Sequence, residues 1–343
     1  MNTQSLANEQ NLIPIKRAHL LRIIFQLFVL FHHLYQTQTE FGKYVSWILG
    51  PSAVAGFLFL SGYGVAVSFK RDGEEYLSKF IKKRIPSTYL TIVVVDIIYL
   101  SLFYLQGNSF TSFTAMLCSL LYLPVVKGYV ALSHWVYFLA DLLIYYVIFY
   151  VVMKALKNKQ KRLEKTAVVM FVLSAIAIAV LTVINVNTGS SRYLRGIILF
   201  PIGILCACYN DAICKLLSKY KWWAVGTLAV AFLLSSIFLV NSNMATEYLI
   251  CTFATLLVVA LLFGVEVKGK AVSFFSDKVL IVYLSHEYIL FYLRMHLHAQ
   301  EDWVLIMFLT LVMSLAISII LRLIQCKCKK GLSGSAELNA QKI

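Results

Sequence analysis

The sequence predicts an all-α, polytopic membrane helix bundle of about ten transmembrane helices, with both termini on the cytoplasmic side. Three observations lead there. Of 343 residues, 60% are hydrophobic and only 14% charged, with a mean hydropathy of +0.78; a soluble domain carries about 25% charged residues. The apolar surplus has no water-facing surface to offset it, so lipid is the solvent. The apolar residues are gathered into runs close to spanning length. The basic residues fall between alternate runs, as the positive-inside rule requires.

Residues 1–18 form a polar N-terminal segment. The first apolar run, 20–36, reads as a span and not as a cleaved signal. No small-residue cleavage site follows it, and nearly all later runs are equally apolar. Further spans lie near 48–69, 87–106, 133–153, 166–186, 193–209, 222–240, 246–265, 272–293 and 303–323. About 20 apolar residues cross a bilayer as a helix, because lipid offers no partner to backbone N–H and C=O groups. The run 110–126 is shorter and is interrupted by Ser, Thr and Pro124. It is either an eleventh span or a re-entrant or interfacial piece. Charge decides between these. With ten spans and the N-terminus inside, all 31 basic residues fall on the inner side except Lys43, Lys127, Arg192, Arg195 and Arg294. An eleventh span at 110–126 would move the basic cluster Lys154–Lys165 outside, against that rule. The expected organisation is therefore a transmembrane domain over 19–325 and a cytoplasmic tail over 326–343.

The net charge of +15 does not indicate nucleic acid, since the cations sit in short loops and form no basic face interleaved with aromatics. The cysteines Cys118, Cys206, Cys208, Cys214, Cys251, Cys326 and Cys328 include no CxxC pair, and no His-rich spacing accompanies them. They read as structural or lipid-facing, and no metal site and no bound cofactor is expected.

The first span carries the sharpest signal for chemistry. At 100° per residue Arg22, Gln26 and His33 fall at about 0°, 40° and 20° of the helix wheel, with His32 about 80° to the other side. A cation and an imidazole on one stripe face a bundle interior or a cavity. Their eleven-residue separation is about 16 Å of rise, which sets Arg22 near the inner surface and His33 well into the membrane. The functional reading is a general base at His33 with Arg22 as an anion anchor. Lipid-phosphate contact for Arg22 and an interhelical hydrogen bond for His33 would explain the same spacing. The second span carries Gly56-Phe57-Leu58-Phe59-Leu60-Ser61-Gly62-Tyr63-Gly64, where small residues admit close backbone approach. Lys82-Lys83-Arg84 before Pro86 suits phosphate groups; topology and lipid headgroups account for it as well. Trp135, Asp141, Asp96 and the run Tyr283-Leu284-Ser285-His286-Glu287 are weaker signals, each readable as a satisfied interhelical contact.

Taken in order, these elements resemble acyltransferase family 3, multi-span membrane proteins that O-acylate sugars and other acceptors. The family's Arg, ten mostly apolar residues and His on the first span are matched by Arg22 and His33. Its Phe-Phe-x-x-Ser-Gly-Phe element is similar to Phe57 through Tyr63, including Ser61 and Gly62. Its basic element is compressed here into Lys82-Lys83-Arg84 ahead of Pro86. Its Trp at the head of a middle span is matched by Trp135, and its late Tyr-Leu-x-His by Tyr283 through His286. The resemblance covers about residues 15–325. It implies a cytoplasmic acyl-CoA donor, most often acetyl-CoA, bound through Lys82, Lys83 and Arg84. It implies catalysis by His33 and Arg22, with Ser61, Gly62, Trp135, Asp141 and His286 in support. The implied acceptor is a hydroxyl of an envelope polysaccharide or lipid-linked glycan at the cell membrane. His33 would act as general base or acyl carrier. The other function weighed is a transporter or flippase of a lipid-linked glycan without acyl transfer. It is disfavoured because no repeat symmetry is visible.

Overall fold

A computed structural model describes residues 11–35, 40–105, 107, 109–120, 137–183, 196–239, 244–296 and 305–320. These form helices joined by turns, with no strand among them. The helices are α1 Ile15–Tyr35, α2 Glu40–Lys79, a π-helical turn Phe80–Arg84, α3 Ile85–Leu105 and α4 Phe113–Leu120. They continue with α5 Tyr137–Ala155, α6 Arg162–Val183, α7 Leu199–Cys208, α8 Asn210–Leu239, α9 Met244–Leu262, α10 Lys270–Ser276 and α11 Val279–His296. A last helix, α12, covers Leu305–Ile320.

Among the described residues, three helical stretches are long and apolar enough to cross a membrane: Ile48–Thr91, Arg162–Val180 and Asn210–Ile237. Large apolar side chains on α6 (Phe171, Ile176) and α8 (Leu233, Ile237) are exposed, as lipid-facing surfaces are. Trp222 and Trp223 are also exposed, in keeping with an aromatic belt at a membrane interface. The chain is a membrane protein.

The expected spans and the observed helices differ in instructive places. Of the expected span 193–209, the described residues 196–209 hold a ten-residue helix, α7, preceded by a turn. The expected span 272–293 is broken at Asp277 and Lys278 into α10 and α11. The described part of 110–126 holds an eight-residue helix, α4, much shorter than the roughly 20 residues a crossing needs. Trp135, the side chain of Asp96, residues 121–126 and the tail 326–343 lie outside the described residues, as do residues 1–10. Cys206, Cys208, Cys214 and Cys251 form no disulfide among the described residues.

The core is organised around α2, which packs most extensively against α7 and α1 and also against α9. Glycine makes this possible. A Cβ on Gly62 would stand 2.0 Å from the carbonyl oxygen of Phe200, and one on Gly203 would stand 2.3 Å from that of Phe59. The two backbones therefore touch, α2 against α7, as small residues at membrane helix interfaces allow. Past the apolar stretch, α2 is interrupted at Gly73, whose φ of 56° and ψ of −132° belong to a region that only glycine occupies cheaply. The following turn is held by the ion pair of Glu74 with Arg162 of α6, while Arg162 Nε donates to the Met153 carbonyl at 2.6 Å.

The N-terminal approach to α1 is also anchored. The backbone N–H of Leu12 donates to Asn210 Oδ1 at 2.7 Å, and that of Ile13 to Tyr63 Oη at 3.3 Å. Tyr63 Oη in turn donates to Asn210 Oδ1 at 3.1 Å. These bonds fix where α1 begins relative to α2 and α8, and so fix the register of Arg22 and His33.

Candidate functional site

Arg22 and Arg84 are 62 positions apart in sequence, yet both line one cavity of about 590 Å³. Arg22 comes from α1 and Arg84 from the end of the π-helical turn. That turn closes with the Ile85 N–H bonded to the Phe80 carbonyl, the wider i to i+5 pattern that recurs at functional sites. Here it sets Arg84 against α5. Arg84 Nη2 donates to Tyr146 Oη at 2.8 Å and Nε to the same oxygen at 3.2 Å. The Arg84 Cζ lies 5.1 Å from the Tyr146 ring centroid. Tyr146 is fully buried and is held edge-on by Phe80 at 5.2 Å.

The rest of the cavity wall divides by chemistry. Ser61 and Ser68 of α2, Ser87, Thr88 and Thr91 of α3, and Ser276 supply hydroxyls. Asp277 is the single carboxylate among the lining residues, against the two guanidinium groups, so the described lining carries net positive charge. Both arginines are solvent-accessible through the cavity, and Arg22 makes no hydrogen bond among the described residues. Two cations sharing a partly enclosed space with one carboxylate favour an anionic occupant. Beside Arg22, His19 lies before the apolar run and shares a 2.6 Å hydrogen bond with Ser276 Oγ. Its partial burial lowers its pKa; the nearby Arg22 charge acts in the same direction, and Asp277 opposes both.

His33 is buried at 5% exposure and pairs with His286 of α11, also buried, at 5.1 Å between ring centroids. His32 stacks edge-on to His33 at 4.6 Å. His286 Nδ1 lies 2.5 Å from the Tyr283 carbonyl oxygen. That carbonyl can only accept, so Nδ1 is the protonated nitrogen and Nε2 carries the lone pair. Nε2 has no hydrogen-bond partner among the described residues. Gln26, on the same helical stripe as Arg22 and His33, is buried at 4% exposure, and neither end of its amide finds a partner among the described residues.

The structure thus gathers Arg22, Ser61 and Arg84 at one cavity and brings His286 to His33. It does not bring Lys82 or Lys83 to the cavity; both are exposed on the turn that carries Arg84. Gly62 serves the α2–α7 contact. Asp141 lies on α5 and is not among the cavity-lining residues; its Oδ2 is buried and without a hydrogen-bond partner among the described residues. Sequence reasoning missed Tyr146, Phe138 and Asp277. Tyr146 and Phe138 sit within an apolar run that gives no sign of a partner. Asp277 could have been found, as a lone carboxylate next to Lys278 at a helix break.

A protein-family model described as an acyltransferase domain matches residues 15–323. No curated protein matches the chain, and no solved structure does.

Proposed function

The chain belongs to acyltransferase family 3, and from that premise we propose that it is a membrane O-acetyltransferase, using cytoplasmic acetyl-CoA to modify a hydroxyl of an envelope polysaccharide or lipid-linked glycan. One observation carries the reading: the cavity shared by Arg22 and Arg84 holds positive charge that its described lining does not neutralise. The phosphates of a CoA thioester would supply the opposite charge. Guanidinium groups suit them because they present several N–H donors in a planar fork. Lys82 and Lys83, exposed beside Arg84, would add to the field that draws the anion in.

With ten spans in the cell membrane and two cytoplasmic ends, as the positive-inside count suggests, the donor arrives on the side of Arg22 and Arg84. With the acyl end directed inward, the acceptor oxygen attacks the thioester carbonyl carbon while His33 takes its proton. The C–S bond breaks, CoA leaves as thiolate, and the proton held by His33 returns to it as CoA-SH. Alternatively, His33 attacks the carbonyl first and carries the acyl group before passing it to the acceptor. His286 is a positioning residue in either scheme. Its Nε2 lone pair can accept from the His33 ring and hold it in one orientation.

Membranes of the protein's own host, deleted for the gene and re-expressing variants, supply the acceptor without its being identified. Radiolabelled acetyl-CoA added to inside-out vesicles should yield alkali-labile label in the glycan fraction. Arg84→Ala should raise KM for acetyl-CoA by about tenfold or more, the loss of a charged hydrogen-bonding group, with Arg84→Lys between it and wild type. Lys82→Ala and Lys83→Ala should have smaller effects that vanish at high salt. No label in wild-type vesicles, with glycan still moved across the membrane, would sink the acyl-transfer reading in favour of a flippase.

A further inference from the structure

An aromatic layer separates the cavity from the histidine pair. Phe57 of α2, Phe138 of α5 and Tyr283 of α11 each line the cavity, and each is buried, at 9%, 6% and 4% exposure. Every pair among them is in ring contact. The centroids are 5.7 Å apart for Phe57–Phe138, 6.2 Å for Phe57–Tyr283 and 5.6 Å for Phe138–Tyr283. Phe25 of α1 backs Phe57 at 5.9 Å. On the far side, the Tyr283 ring lies 5.8 Å from His286, which in turn packs against His33. Neither histidine is among the described lining residues.

Rings packed this closely leave no room for an alkyl chain between them, since protein interiors pack to crystal-like density. The three come from three different helices, so the layer is a property of the assembled bundle. It lies between the cavity that Arg22 and Arg84 line and His286, which packs against His33. A group small enough to pass on rotation of one ring gets through. A longer chain spans the layer and keeps the rings apart along its length, so their mutual dispersion attraction is lost for as long as it is in place.

We propose that Phe57, Phe138 and Tyr283 form an acyl-size gate that admits an acetyl group to His33 and stops chains of four or more carbons. The inference rests on the acyl-transfer reading above. Pocket discrimination of this kind is worth roughly 10- to 200-fold per methylene.

The test uses the same host membranes, given labelled acetyl-CoA or labelled butyryl-CoA. Wild type should favour acetyl by about tenfold or more. Phe138→Ala and Phe57→Ala should each raise the butyryl-to-acetyl ratio by about tenfold. Phe138→Leu keeps most of the buried volume, and it should shift the ratio in the same direction if the alanine variants fail to accumulate. Tyr283→Phe keeps the ring and should keep the wild-type ratio. An unchanged ratio in every gate variant that still transfers acetyl overturns the gate, as does a wild type that uses both donors equally well. Wild-type membranes that take label from neither donor overturn the acyl-transfer reading itself, and the gate with it.

Discussion

Replacing His33 by alanine should abolish glycan acylation while the protein still accumulates in the membrane. A positioned general base typically contributes about 10²- to 10⁴-fold, and loss of an acyl carrier would cost at least as much, so the expected residual rate lies near background. The substitution leaves the anion cavity intact, because His33 is not among its described lining residues. Acetyl-CoA should therefore still bind, and binding without turnover is the signature that separates a catalytic loss from a folding loss. His286→Ala should cost less, about tenfold in kcat with KM unchanged, since it acts through the orientation of His33; His286→Gln, which retains an acceptor, should recover part of that loss. Wild-type acylation by His33→Ala would remove this residue from the chemistry.

Gly62→Ala should be the most damaging glycine-to-alanine change among the described residues. The added Cβ would sit 2.0 Å from the Phe200 carbonyl oxygen, a separation that real Cβ atoms essentially never show. The obstacle is backbone, so no side chain can rotate away. α2 and α7 must part, and they form the most extensive helix contact in the described bundle. Overpacking a close interface typically costs about 1–3 kcal/mol, and a backbone clash belongs at the upper end of that range or beyond. The expected result is a sharp loss of monodisperse protein after detergent extraction and a lowered unfolding temperature. Gly226→Ala is the control: its Cβ meets nothing within 4 Å, and alanine is the better helix former. Equal stability of the two variants would mean that the α2–α7 contact is not as close as described.

Much of this was legible from local pattern. The 100° periodicity put Arg22, Gln26 and His33 on one stripe, and in the structure Gln26 and His33 are buried while Arg22 opens to the cavity. The small residues of the second span announced close packing, and Gly62 provides it. What pattern could not reach is convergence. Arg84 meets Tyr146 across 62 positions, and Asp277 joins the wall with Arg22 only once α10 docks on α1. The aromatic layer is equally silent in sequence, because phenylalanine and tyrosine in an apolar run look the same whether they face lipid or one another. Helix ends were missed for a related reason. The run 272–293 reads as one span only if the charged pair Asp277-Lys278 inside it is passed over, and the helix breaks at that pair. The tripeptide Lys82-Lys83-Arg84 offered three equivalent cations, and only the geometry of the π-helical turn distinguishes the third.

If the Arg22–Arg84 cavity holds the acyl donor with its thioester end toward the aromatic layer, an experimental structure of the full chain in lipid nanodiscs with acetyl-CoA will show it directly. Density for the CoA phosphates should lie against Arg22 and Arg84, with the acetyl group against Phe57, Phe138 and Tyr283. CoA bound elsewhere on the protein, with both arginines unengaged, would contradict this assignment.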